Sequence, residues 1–307
     1  MNTIKKLFYP ACIFLAGILW GISGLFVRNF EANGISMAEI CFLRLTTATV
    51  ILLIAFAIFK PSIFKIDIKH IWIFACSGII SIYGTSFTYF TAIELSSMSF
   101  ACIMMYTAPI FVAIFSRFLF KEKITLLKVI CLAITFLGCI LCAYKEGGFT
   151  TDIGVILIGL ASGVTYASYS IFSRLAINKG YKSETILCYS FIFASLGSAI
   201  VVPYDTLFSN ISNGNVNILL VIGLGVIVTA LPYLFYTIGL KEVENGKASV
   251  IACMEIVSAT LLGLIAFSEV PTFIAILGMV LVFIGVVLMN INLKKKDGYN
   301  QILKISV

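Results

Sequence analysis

The stretch Ala16–Arg44, AGILWGISGLFVRNFEANGISMAEICFLR, can be laid without a gap on Ser162–Ser190, SGVTYASYSIFSRLAINKGYKSETILCYS, at an offset of 146 residues. Gly17, Phe26, Arg28, Gly34 and Ile40 meet identical residues at Gly163, Phe172, Arg174, Gly180 and Ile186. Downstream the offset becomes 147 and holds, so that Tyr89, Ala101, Glu122, Thr125, Phe136 and Gly138 meet Tyr236, Ala248, Glu269, Thr272, Phe283 and Gly285. Apolar segments share Leu and Ile by composition alone, but not an Arg, a Glu and several Gly near their ends. The chain reads as one unit used twice.

Composition says what the unit is made of. Hydrophobic residues are 61% of the 307 and charged residues 11%, with a mean hydropathy of +1.10. A soluble domain carries about 25% charged residues, so this chain could not cover a water-facing surface. Spanning a bilayer takes about 20 apolar residues, and ten segments qualify: 9–28, 36–59, 71–92, 98–118, 124–144, 152–173, 184–204, 216–239, 247–268 and 271–290. The first follows Lys5 and Lys6 as a signal peptide would, but it is too long for one and no cleavage site follows, so it reads as a membrane helix. Pro10, Pro61, Pro203 and Pro271 mark segment ends, while Pro109 and Pro232 predict kinks in the fourth and eighth segments. The resulting units are a first five-helix repeat at 9–144, a second at 152–291, and a basic cytoplasmic tail at 292–307.

Charge sets the orientation. With the N-terminus in the cytoplasm, all of the 21 Lys and Arg except Arg28, Arg44 and Lys145 lie on the cytoplasmic side. Arg28 and Lys145 lie outside, and Arg44 lies within the second segment. This bias predicts a plasma-membrane protein with both termini cytoplasmic. The net charge of +7 is then a topology signal, since no basic stripe runs along a helix and no nucleic-acid partner is implied. A five-helix unit has an odd number of crossings, so its second copy enters from the opposite face. The predicted fold is an all-α membrane protein, ten transmembrane helices as two inverted five-helix repeats.

Such a repeat gives two nearly equal-energy shapes, each open to one face, with a site near the midplane: alternating access. Trp20 and Tyr166 are repeat equivalents, as are Tyr89 and Tyr236, and Tyr106, Tyr169 and Tyr233 fall in register with them. Packing is the competing reading for each ring, and pairing by symmetry favours a binding role. A charge at the centre of a helix costs about 2.5–3.5 kcal/mol on insertion scales, so Arg44 and Glu255 point to a polar cavity or to a structural ion pair. Arg44 joins the substrate-binding candidates, and Glu255 is the candidate coupling residue. Glu39 stands near the outer end of its segment, within reach of headgroups. Gly17-x-x-x-Gly21 and Gly159-x-x-x-Gly163 predict close helix contacts in the first and sixth segments.

Other chemistry is poorly served. The nine cysteines all lie in apolar segments, and Cys139-x-x-Cys142 sits mid-helix, where thiols are small hydrophobes. The single histidine, His70, reads as interfacial, and no metal or cofactor is implied. The sequence has no H-E-x-x-H, no G-x-S-x-G and no Gly-Lys-Ser/Thr phosphate loop, so neither catalysis nor nucleotide-driven pumping is predicted. A channel is the rival of a different class, but it needs axial rings of charge or carbonyls that a two-unit repeat does not supply.

The fourth segment runs into Phe120-Lys121-Glu122-Lys123-Ile124-Thr125, and the ninth into Phe267-Ser268-Glu269-Val270-Pro271-Thr272. The helices that follow close on Gly138-Cys139-Ile140-Leu141 and Gly285-Val286-Val287-Leu288. In these features, in Arg44, in Glu255 and in Tyr106-Thr107-Ala108-Pro109, the chain resembles the EamA branch of the drug/metabolite transporter superfamily over about residues 10–291. Ile256 stands where that family places a proline, which predicts a straighter ninth helix. The resemblance implies a proton- or exchange-coupled carrier of small organic solutes, often an exporter. Amino acids or related metabolites are the expected substrates. A multidrug or lipophilic-cation exporter and a nutrient-amine uptake carrier are the alternatives. The expected partners are a small-molecule substrate, membrane lipid and protons, with the chain a monomer or homodimer.

Overall fold

The computed structural model describes residues 3–96, 98–143, 152–268 and 270–290. Lys145, Glu269, the repeat boundaries at 144 and 291, and the 292–307 tail lie outside them. Among the described residues every regular element is helical. Nine helices are long and apolar enough to cross a membrane: α1 Leu7–Ala32, α2 Met37–Phe59, α3 Ile68–Leu95, α4 Phe100–Phe120, α5 Leu126–Ala143, α6 Ile153–Asn178, α7 Ser183–Val201, α8 Ile218–Gly239 and α9 Asn245–Phe267. A last, shorter apolar helix, α10 at Phe273–Met289, packs along α5.

Polar side chains close the helix starts. Asp152 accepts from the N–H groups of Gly154 and Val155 at α6, and Asn217 from those of Leu219 and Leu220 at α8. Ser36 and Glu39 form a reciprocal capping box at α2. Glu39 does not reach for headgroups. It is 1% exposed, accepts from the Ser36 N–H and hydroxyl at 2.7 Å, and accepts from Thr206 Oγ1 and Asn210 Nδ2 at 3.1 and 3.2 Å. Its partners belong to a short helix, Tyr204–Ser212, in a stretch that hydropathy reads as loop. That helix is short and only one-sided in its apolar residues, with Leu207 buried beneath it, so a search for long apolar runs passes over it.

Several helices are interrupted. α1 turns at Ile22 and α4 at Tyr106-Thr107, just ahead of Pro109, where the Thr107 hydroxyl covers the Met104 carbonyl at 2.6 Å. α8 widens to i→i+5 turns over Val226–Ala230, next to Pro232. Both prolines therefore mark irregular helices, as expected. α3 widens likewise over Cys76–Tyr83 without any proline. α9, which lacks the family proline at Ile256, is interrupted at Cys253, whose N–H bonds the Val250 carbonyl while its own carbonyl takes the Ile256 N–H, each at 3.2 Å and three residues back.

These irregularities recur along the chain. Tyr106 and Cys253 at the breaks, and Tyr83 and Ala230 at the ends of the wide turns, stand 147 residues apart. So do the left-handed residues Lys121 (φ 56°) and Ser268 (φ 55°), while Gly34 (φ 76°) and Gly180 (φ 87°) are 146 apart. Packing follows the same rule. Gly17 of α1 lies on the α9 backbone, where a Cβ would stand 3.0 Å from the Ala252 carbonyl, and Gly163 of α6 lies correspondingly on Met104, Thr107 and Ala108 of α4. α1 packs on α8 and α9, α6 on α3 and α4, α2 on α7 and α8, and α5 on α10. The main contacts thus join the N-terminal half of the chain to the C-terminal half.

Candidate functional site

Where α1, α2, α3, α6, α8 and α9 converge they enclose a cavity of about 240 Å³. It runs from exposed Glu31 and from Arg28 at one end of the bundle down to Trp20, Tyr166, Tyr233 and Glu255 in the middle. Arg44, Ser86, Tyr89, Cys41 and Met105 line its sides. The volume lies below the roughly 300–1,000 Å³ of drug-sized sites, which suits a small solute.

Aromatic rings form the lower wall. The Trp20 ring stands edge-on to Tyr166 and Tyr233 at centroid distances of 6.2 and 5.1 Å, and lies tilted on Tyr236 at 5.5 Å. Edge-to-face contacts of this kind fix ring orientation and add about 0.5–1.5 kcal/mol each. Below them Tyr169 and Tyr236 are buried, with their hydroxyls on Thr237 Oγ1 at 2.8 Å and Ser170 Oγ at 3.1 Å.

Two charges face this space. Arg44 Nη2 donates to Ser86 Oγ at 2.6 Å, and among the described residues its Nε has no hydrogen-bond partner. Tyr166 donates its hydroxyl to Glu255 Oε2 at 3.2 Å. Among the described residues no ion pair joins Arg44 to Glu255, although both line the same cavity. The structural ion pair weighed from sequence is therefore not formed. Each charge is held by a neutral partner and leaves donor or acceptor capacity facing the cavity.

Of the residues singled out from sequence, Trp20, Arg44, Tyr89, Tyr166 and Glu255 line the cavity. Tyr169 and Tyr236 lie in the layer beneath it. Tyr106 lines neither space: it is 6% exposed and packed in the core at the α4 break. Ser86, Thr85 and Cys41 are wall residues that sequence reading passed over. Ser86 had a signal available, since it is the repeat equivalent of Tyr233 at the 147-residue offset.

Farther along α6, beyond the aromatic layer, a polar network ties that helix to the start of α9. Arg174 Nε donates to Asn245 Oδ1 at 2.8 Å, and its Nη2 donates to the Val243 carbonyl. Glu122 accepts from the N–H groups of Asn245 and Gly246 at 2.9 and 3.4 Å, an anion at the start of α9, where the helix dipole favours it. Lys128 joins Glu122 at 3.8 Å and pairs with Glu244.

Known proteins bear on this arrangement. The profile of the "EamA-like transporter family" matches residues 7–144 and again 153–291. A protein of Archaeoglobus fulgidus named "Uncharacterized transporter" is 28% identical over 278 residues, covering 91% of this chain and 94% of its own. The "Uncharacterized inner membrane transporter YicL" of Salmonella typhimurium is 23% identical, covering 92% and 95%. A solved crystal structure superposes with a TM-score of 0.74 at 20% identity, over 97% of this chain and 99% of that one, and supports the fold. With a family match over nearly its whole length and a helix set able to cross a membrane repeatedly, this chain belongs to the EamA-like transporter family and is a multi-pass membrane transporter, not an enzyme.

Proposed function

We propose that this transporter is a secondary carrier of small zwitterionic solutes, amino acids or related metabolites, working by alternating access as an exporter. The observation that carries this reading is the pair Arg44 and Glu255, which face one cavity without pairing with each other. A solute carboxylate placed on Arg44 would take the Nε donor, a charge-assisted bond of the stronger kind. A solute ammonium would settle near Glu255, beside the rings of Trp20 and Tyr166, which attract cations on their faces. Arg44 argues against the runner-up, a carrier of purely cationic drugs or amines, because it would repel them.

The mechanism needs two states. We take α1–α10 as ten crossings in two inverted units, 9–144 and 152–291, with α10 as the last crossing. Support comes from the recurrence of breaks, left-handed residues and glycine contacts at offsets of 146 and 147. The termini lie in the cytoplasm of a plasma-membrane protein, and the Glu31 end faces outward, so this state is open outside and sealed inside by the Arg174 network. Glu255 exchanges a proton as the states alternate, which supplies the gradient coupling.

Counterflow in proteoliposomes tests the reading. Vesicles preloaded with an amino acid should accumulate its labelled form, while the methyl ester and the deaminated acid should exchange at least tenfold more slowly. Equal exchange of all three would remove the zwitterion assignment. Conductance without counterflow would make the protein a channel.

A further inference from the structure

Between α7 and α8 the chain forms the nine-residue helix Tyr204–Ser212, and its three sides differ. At about 3.6 residues per turn its side chains fall into three arcs. Thr206, Leu207 and Asn210 meet the bundle: Thr206 Oγ1 and Asn210 Nδ2 donate to the buried Glu39 carboxylate of α2 at 3.1 and 3.2 Å, and Leu207 is buried. Asn215 Nδ2 donates to Asn210 Oδ1 at 3.1 Å, so both ends of the Asn210 amide are used. Asp205, Ser209 and Ser212 form a second arc, exposed and polar. Tyr204, Phe208 and Ile211 form the third, which is apolar and yet 43%, 63% and 49% exposed. The Tyr204 ring stacks on Phe208 with centroids 6.3 Å apart and meets Phe42 of α2 edge-on at 5.9 Å, which joins this stripe to α2.

The position of the helix says what covers the stripe. α7 ends at Val201 and α8 begins at Ile218, and both are long enough to cross, so the segment joining them runs where hydrocarbon gives way to water. Ile200 and Val201 on one side and Ile218 and Leu219 on the other are exposed apolar residues of those crossings, and the stripe continues them. No Lys or Arg stands between Lys182 and Lys241, so nothing in this stretch calls for an anionic headgroup. We propose that Tyr204–Ser212 is an interfacial anchor: it lies along the bilayer surface, sinks Tyr204, Phe208 and Ile211 among the lipids, and through Thr206 and Asn210 fastens Glu39 and the first turns of α2 to that level. Tyr204 suits the boundary, with its ring in the stripe and its hydroxyl on the Ala199 carbonyl at 2.8 Å. α2 carries Met37, Ile40, Cys41 and Arg44 into the cavity wall, so the anchor sets the height of that wall. The anchor is the same whichever leaflet this end of the bundle meets, and it asks nothing of the solute.

The test uses the full chain in phosphatidylcholine liposomes, with Phe208→Cys or Ser209→Cys carrying a small environment-sensitive dye. The parent chain, whose nine cysteines all lie in apolar segments, supplies the blank. A nitroxide carried high on the lipid chains should quench the dye at 208 at least threefold more than aqueous iodide does, and the order should reverse at 209. Replacing half the lipid by phosphatidylglycerol should change neither result. Equal quenching of the two positions, by either agent, would remove the sided helix. A dye at 208 shielded from both agents would mean that protein, such as a second copy of the chain, covers the stripe, and lipid would be the wrong occupant. Quenching at 208 that appears only with phosphatidylglycerol would overturn insertion in favour of headgroup charge. Asn210→Ala tests the tie to α2: the response at 208 should persist, while Met37→Cys should react with a bulky water-soluble maleimide at least threefold faster than in the Asn210 chain. An unchanged rate at Met37→Cys would leave the helix on the lipid but not in charge of α2.

Discussion

Arg44 Nη2 donates to Ser86 Oγ at 2.6 Å, and Ser86 in turn leans on the Ile82 carbonyl at 3.2 Å. A hydrogen bond to a charged group is worth about 1.5–3 kcal/mol. Ser86→Ala should therefore leave the chain folded but raise the counterflow KM about tenfold as the guanidinium loses its anchor. An unchanged KM would mean that Arg44 does not meet the solute. Glu255→Gln makes a sharper case, because it removes the exchangeable proton and keeps the shape and the contact with the Tyr166 hydroxyl. Gradient-driven accumulation should vanish while exchange of solute for solute persists. A Gln variant that still accumulates solute against a gradient would leave Glu255 a structural residue. The two charges were legible in the sequence because a charge amid apolar residues needs a reason. Ser86 was passed over, since a serine on an apolar helix commonly satisfies itself on its own backbone, and its one signal was its place opposite Tyr233 in the repeat.

At the scale of the helix, length and hydropathy placed every long element to within a few residues, and the proline rule placed two of the irregular ones. The breaks at Ile22 and Cys253 and the wide turns of Cys76–Tyr83 escaped because no residue type demands them. They arise where helices of the two halves cross closely, a tertiary cause that local propensity does not contain. The left-handed residues are a further case. Lys121 and Ser268 end α4 and α9 with φ of 56° and 55°, a conformation that costs a side-chain-bearing residue about 1 kcal/mol and glycine almost nothing. Lys121→Gly should raise the melting temperature in detergent by one or two degrees, with transport intact. Close contacts carry the opposite sign. A Cβ on Gly138 would stand 2.8 Å from the Gly278 carbonyl and 2.8 Å from the Val282 nitrogen, both backbone atoms that cannot turn aside. Gly138→Leu should cost about 1–3 kcal/mol or more of stability by overpacking the α5–α10 contact, read as a lower melting temperature. An unshifted melt would mean that these helices separate easily.

For the whole molecule, the repeat carries more information than any single site, because it predicts where each crossing begins and which face it enters. Charge asymmetry does not enter the packing at all, so its prediction about the membrane can be tested independently of the fold. Lys60, Lys65 and Lys69 follow α2, and Lys179 and Lys182 lie between α6 and α7, both expected inside. Glu31 at the end of α1 and Asp205 beyond α7 are expected on the opposite face, the one with few Lys and Arg. A lysine or arginine near a short loop resists translocation, so the basic loops stay behind as the chain inserts. A reporter active only outside the cytoplasm should light when fused after Glu31 or Asp205 and stay dark after Lys65 or Lys179. The Asp205 fusion decides the matter. Were it dark while Lys179 lit, the second unit would run in the same sense as the first. The two ends of the cavity would then not be related by symmetry, and the two-state cycle built on that relation would fall, even though every contact within the bundle stayed as described.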